Sequence, residues 1–224
     1  MSKNKMLIAF ILLCSLLFIV GCFDEVEEVK KDTQPLLKGE PSQKSYELSQ
    51  RYYEQGEYKK ALEYDLKQLE EDLKYYKENS IKISSDYNNI GLDYDELKEY
   101  IKALAYYEKA MKIDNLLLDD KSIERSTTYY NFASTKESLG EYGEALEYFL
   151  KALDIDIVML GKYHSNILDE YKNIANLYEK IDNHALAVKF QKKILAFKEH
   201  EFVDNREKNQ SSSLKIEKPQ KVQE

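Results

Sequence analysis

The chain has 224 residues, with 33 Lys and Arg against 41 Asp and Glu, a formal net charge of −8. That balance argues against nucleic acid as a partner, since nucleic acid rewards clustered positive charge. Apolar residues reach 43%, enough for a core, whereas 7 Gly and 3 Pro are too few for a turn-rich β sandwich or barrel.

The first element is an apolar run. Lys3 and Lys5 precede Met6 to Val20, which is almost wholly hydrophobic. At the helical rise these residues span about 22 Å, short of the ~30 Å hydrocarbon core of a bilayer, so the run reads as a leader rather than a membrane span. Ile19, Val20, Gly21 and Cys22 follow in order. This tetrad resembles the bacterial lipoprotein box. The resemblance implies a signal peptide over residues 1–21, cleavage before Cys22, and lipidation of the Cys22 thiol. Two or three acyl chains hold a protein firmly, at about 0.8 kcal/mol per buried CH₂. Phe23 directly after Cys22, with Asp24 one place later, slightly favours an outer membrane where the cell has one. Residues 22–43 contain Asp24, Glu25, Glu27, Glu28, Pro35, Gly39 and Pro41 without an apolar period. They read as a flexible acidic tether.

The middle of the chain repeats. Ala61, Ala103, Ala145 and Ala187 recur every 42 residues, and so do Ser49, Gly91, Ala133 and Ala175. The same step links Tyr58, Tyr100, Tyr142 and His184, and links Glu47, Asn89, Asn131 and Asn173. Such a period marks a repeat architecture. In the third copy Tyr129, Phe132, Ala133, Lys136 and Leu139 form one helical face. Gly140 breaks it, and Tyr142, Ala145, Leu146, Phe149, Ala152 and Leu153 form a second stripe. Each copy therefore predicts a helical hairpin, with the small residues letting two helices approach closely. The copies fall at about residues 44–79, 84–121, 126–163 and 168–203. Residues 204–224 are polar and are expected to be disordered.

A small residue and an aromatic in the first helix, Gly at the turn, then Ala, an aromatic and Ala in the second resemble the tetratricopeptide repeat. The 42-residue unit is similar to the kinesin-light-chain type. Tyr87-Asn-Asn-Ile-Gly91, Gly161-Lys-Tyr-His-Ser-Asn166 and Asn173-Ile-Ala-Asn-Leu-Tyr178 carry that likeness most closely. It implies an all-α, right-handed superhelical solenoid of about four hairpins, whose first helices line a concave groove. By resemblance, the lining comprises Tyr46, Gln50 and Tyr53, then Asn88, Asn89, Leu92 and Asp95. It continues with Tyr130, Asn131, Ser134 and Glu137, then Lys172, Asn173, Asn176 and Glu179. Asn89, Asn131 and Asn173 are the leading candidates for binding, because a carboxamide both donates and accepts and can pair with an extended peptide backbone. Tyr46, Tyr53 and Tyr130 would add flat apolar contact, with Asn88 and Asn176 beside them. The alternative is that the Asn residues simply face water or brace the neighbouring helix. Repeat domains of this family that hold a C-terminal carboxylate use Lys and Arg, and the matching Tyr46, Gln50, Asn89, Thr127 and Asn131 include no cation. Glu54, Asp95, Glu96, Glu137 and Glu179 lean the groove acidic, which favours a neutral or basic segment.

Catalytic signals are weak. His164, His184 and His200 sit at no metal-ligand spacing. No phosphate loop or nucleophile elbow is present, and the many acid pairs read as solvated helix faces. The expectation is a non-enzymatic, membrane-anchored interaction scaffold or adaptor of the bacterial envelope, with no cofactor, no metal and no nucleic acid. The alternatives are a sensor for a small peptide or other small ligand, and a structural surface lipoprotein.

Overall fold

The computed structural model describes residues 40–216, with side chains described through residue 203. Cys22, the leader and the tether up to residue 39 lie outside the described residues, as do residues 217–224. Every regular element among the described residues is an α-helix. In chain order these are α1 (Lys44–Glu54), α2 (Tyr58–Asp72), α3 (Ile81–Glu96), α4 (Tyr100–Leu117), α5 (Ile123–Ser138), α6 (Tyr142–Leu160), α7 (Ser165–Lys180) and α8 (His184–Ile216). They pair as four hairpins in two compact units, one ending at Asp120 and the other beginning at Lys121. The first unit holds α1 to α4, and the second holds α5 to α8. None of the described helices is long and apolar enough to cross a membrane.

Each hairpin turns in the same way. Gly56, Lys98, Gly140 and Asp182, one per repeat, take the left-handed backbone at φ 72°, 61°, 79° and 56°. The next N–H then reaches back to a carbonyl of the last helical turn. Glu57 donates to Tyr52, Glu99 to Tyr94, Glu141 to Lys136 and Asn183 to Tyr178, at 2.8–2.9 Å. This left-handed C-cap satisfies carbonyls that a helix end otherwise leaves bare. Two copies thus hold the conformation without Gly. At the other end of the repeat, the hydroxyls of Ser80 and Ser122 accept from the N–H groups of Ile83 and Arg125 and cap α3 and α5. His164 does the same for α7, accepting at Nδ1 from Asn166.

The small positions are where the helices of a hairpin meet. Ala61, Ala103, Ala145 and Ala187 are fully buried. Ser84 and Ser126, at one repeat position in successive copies, donate across the hairpin to the carbonyls of Ala110 and Ala152 at 3.1 and 3.2 Å. A larger residue at Ala110 or Ala152 would separate those backbones. Gly91 is tighter still: a Cβ there would lie 2.5 Å from the ring of Tyr107. In the second unit, Phe149, Leu153, Ile167, Tyr171, Ile174 and Leu177 complete a continuous core with the Ala residues. Each large side chain so buried contributes about 1.5–3 kcal/mol.

At the C-terminus, where the sequence predicts disorder from residue 204, α8 runs on as helix to Ile216. After Gly161 the chain meets no Gly or Pro before Pro219. Adding residues to a nucleated helix is far cheaper than starting one, and Arg206, Glu207, Lys208 and Gln210 are good helix formers.

Candidate functional site

In the first unit the sequence-derived lining positions come together. Tyr46, Gln50 and Tyr53 of α1 and Asn89 and Leu92 of α3 surround a pocket of about 130 Å³, with Asp65 of α2 also lining it. The Tyr46 backbone N–H donates to Gln68 Oε1 at 3.1 Å. The Tyr53 hydroxyl donates to Glu96 Oε1 at 3.2 Å, and its ring meets Tyr58 edge-on at 5.3 Å. Burial and then the Glu96 carboxylate push the Tyr53 hydroxyl well above the usual tyrosine range. Asn89 is half-buried and makes no side-chain hydrogen bond to another described residue. Its donors and acceptor are therefore open to a ligand. Asn88, also half-buried, lies outside this pocket.

In the second unit the equivalent pair is closed. Asn173 Nδ2 donates to the Tyr130 hydroxyl at 2.9 Å, joining α7 to α5. Tyr130 in turn packs edge-on against Phe149, with ring centres 5.1 Å apart. Asn173 thus braces the neighbouring helix with one of its two donor hydrogens. Asn131 is half-buried on α5, and its backbone carbonyl accepts from Thr135 Oγ1. Asn176 is exposed on α7. The acidic lean of the lining is partly used up within the protein. Glu137 pairs with Lys180 at 2.8 Å, and Glu179 with His184 at 2.7 Å. His164, His184 and His200 are all exposed, and the His200 ring stacks on Tyr163.

Sequence reasoning missed a set of buried carboxylates. Asp65, Asp72, Asp86, Asp93, Asp114, Asp156 and Glu170 are buried, where acid pairs had been read as solvated faces. Asp93, against Asp65, is pushed up to about 9 by burial first and by the Asp65 charge next. Asp72 and Asp86 are bridged by the Lys82 ammonium at 2.9 and 2.7 Å, and Gln68 Nε2 donates to Asp72 at 3.1 Å. Burial raises Asp86 to about 7 despite that cation. Ser84 donates to Asp114. Glu170, beside Asp156, is raised to about 9 by burial and by the Asp156 carboxyl. A signal was available: Asp72, Asp114 and Asp156 share one repeat position, and Asp86, Thr128 and Glu170 share another. A charged residue that keeps the register of a core is held there by the fold.

Among curated protein sequences none matches this chain. Solved structures do match in fold. A putative kinesin light chain of Podosopora anserina with nearly identical TPR-like repeats is 18% identical, over 70% of this chain and 75% of that one, with a TM-score of 0.65. BtubC (BKLC) of P. vanneervenii is 19% identical over 79% and 65%, at a TM-score of 0.54. MamA is 21% identical over 69% and 77%, at 0.53. The tetratricopeptide repeat model matches residues 43–115 and 124–200, the two stretches that hold the paired hairpins, and the chain belongs to the tetratricopeptide repeat family.

Proposed function

We propose that this protein is a lipid-anchored adaptor of the bacterial cell envelope, held to a membrane through Cys22 and binding an extended segment of a partner protein. Binding of other proteins follows from the family, whose members serve as interaction scaffolds. The observation that carries the finer reading is the pocket of the first unit. There Asn89 offers an unpaired carboxamide beside the rings of Tyr46 and Tyr53. Such a group can pair with the N–H and C=O of an extended backbone, while the rings take its side chains. In the second unit, Asn131 and Asn173 supply the same residue type, with Asn173 keeping one hydrogen for Tyr130. Asp65 and the carboxylates of the lining favour a neutral or basic segment. The anchor rests on Ile19-Val20-Gly21-Cys22 behind the apolar leader. The reading assigns no catalytic residue, metal or cofactor.

The test compares wild type with Asn89→Leu in a membrane pull-down read by mass spectrometry, after circular dichroism confirms equal helix content. A partner enriched by wild type and lost from Asn89→Leu supports the groove. Identical partners from both would move binding to another surface. In fractionation, Cys22→Ala is expected to leave the membrane pellet, and a wild type found wholly in the soluble fraction would end the anchor reading.

A further inference from the structure

The two units treat one repeat position differently. In the first, Asp72 and Asp86 are 0% and 2% exposed, and Lys82 lies between them. In the second, the positions two repeats on are Asp156 and Glu170, 8% and 2% exposed. The position of Lys82 is taken there by Asn166, which is shorter and neutral. Asp156 Oδ1 and Glu170 Oε2 have no hydrogen-bond partner. A cavity of about 280 Å³ opens onto them, lined also by Ser126, Tyr130, Asn166 and Asp169. Asp169 is paired with Lys172 at 2.7 Å. The second unit thus keeps the buried acid pair, lacks the cation, and has an open cavity in its stead.

We propose that this cavity receives a lysine side chain of a bound polypeptide, whose ammonium sits between Asp156 and Glu170 as Lys82 sits between Asp72 and Asp86. The internal counterpart sets the chemistry: two single contacts at 2.7–2.9 Å from one ammonium, not a forked guanidinium. No group of three or more His, Cys, Asp or Glu among the described residues is arranged to hold a metal. Tyr130 lines the cavity two repeats on from Tyr46, whose ring centre lies 5.9 Å from the Lys82 ammonium, so the aromatic neighbour of the cation is kept as well. Without the ligand, the pair is partly neutralised by a proton, since Glu170 is raised to about 9. The incoming ammonium takes over that role, and a proton leaves to solvent. The proposal rests on the reading of the chain as a protein binder and adds the residue type that its partner must present.

The full-length chain in detergent is titrated with Nα-acetyl-lysine N-methylamide by calorimetry, near pH 7.5, in two buffers of different ionisation enthalpy. Binding with a Kd on the order of 1 mM is expected, with release of about one proton. The Nε-acetylated analogue should not bind, because it carries no charge. Asn166→Lys is the second arm. It should fill the site internally, abolish probe binding and raise Tm, while Asn166→Leu should not raise Tm. Equal binding of the acetylated analogue, unchanged probe binding by Asn166→Lys, or no binding at about 10 mM probe would overturn the proposal. Asn89→Leu lies in the first unit and should leave probe binding intact. A failed pull-down therefore counts against the groove, and a failed titration against this cavity.

Discussion

The two units are built from the same repeat, yet each is open where the other is closed. In the first, Lys82 fills the acid pair and Asn89 stands unpaired in the groove pocket. In the second, Asn173 is tied to Tyr130 and the acid pair of Asp156 and Glu170 is empty-handed. One repeat position changed from Lys82 to Asn166 accounts for the second difference. A duplicated scaffold can thus move its recognition site by exchanging one residue, because the burial that makes a carboxylate avid for a cation is inherited with the fold.

The largest effect should come from breaking the filled site. Lys82→Met leaves Asp72 and Asp86 buried with no ammonium. Removing one partner of a buried ion pair costs about 3–5 kcal/mol. Lys82 is 28% exposed and Asp86 can take up a proton, so the loss should sit near the lower end of that range. Thermal unfolding measures it. Asn166→Lys, which installs the missing ammonium in the other unit, should shift Tm the opposite way. Equal, small shifts in both variants would mean that the two positions are not equivalent after all.

The next effect compares the small positions. Gly91 carries the close approach in the first unit, as Ala133 and Ala175 do in the second. Gly91→Ala would normally gain up to about 1 kcal/mol of helix propensity. Here the new methyl meets the buried Tyr107 ring, and overpacking costs about 1–3 kcal/mol. A net loss of about 1 kcal/mol is expected in chemical denaturation, while a gain would show that Tyr107 yields easily.

These contrasts also separate what the sequence disclosed from what it did not. The four hairpins were legible because burial and spacing coincide: Ala61, Ala103, Ala145 and Ala187 are all fully buried at the period that named them. The groove pocket was legible in part. Tyr46, Gln50, Tyr53, Asn89 and Leu92 meet as the resemblance implied, but the bond from Asn173 to Tyr130 depends on side-chain rotamers that no periodicity encodes. The buried acids were misread. On the helical wheel of a single copy, Asp156 or Glu170 marks a polar face, and only the register across copies or the neighbouring helix tells that it is covered. Past residue 204 two signals in the sequence oppose each other: low hydrophobicity predicts disorder, while the lack of Gly or Pro lets α8 continue as helix to Ile216.

The empty acid pair should also give stability a pH dependence. Glu170 is raised from its ordinary 4.5 to about 9 in the folded chain. Between those values the folded state holds a proton that the unfolded state has released. Stability from this site is therefore full below about pH 4.5 and is lost as pH rises toward 9. Glu170→Gln keeps the neutral shape and removes the titration, so its Tm should fall less than that of wild type between pH 6 and pH 9. Asp93, raised to about 9 in the first unit, keeps a slope of its own in both proteins. The difference between the two curves isolates Glu170, and parallel curves would mean that its carboxyl ionises freely.

The smallest effect lies in the hairpin turns, where the units can be compared residue for residue. Gly56 and Gly140 take the left-handed backbone without strain, but Lys98 and Asp182 carry a Cβ there. The left-handed conformation costs an ordinary residue about 1–2 kcal/mol, and less for Asp, whose side chain tolerates it. Lys98→Gly removes that strain but also frees the unfolded chain, which takes back about 0.4–1 kcal/mol. The net gain should be a few tenths to about 1 kcal/mol, and smaller again for Asp182→Gly. Gly140→Lys supplies the reciprocal, since nothing lies within 4 Å of a Cβ there and any loss is backbone strain less the restriction that lysine places on the unfolded chain. If Lys98→Gly and Gly140→Lys shift Tm by similar amounts in opposite directions, the turn conformation alone sets the cost. A Lys98→Gly variant less stable than wild type would show that the lysine side chain itself contributes to holding the turn.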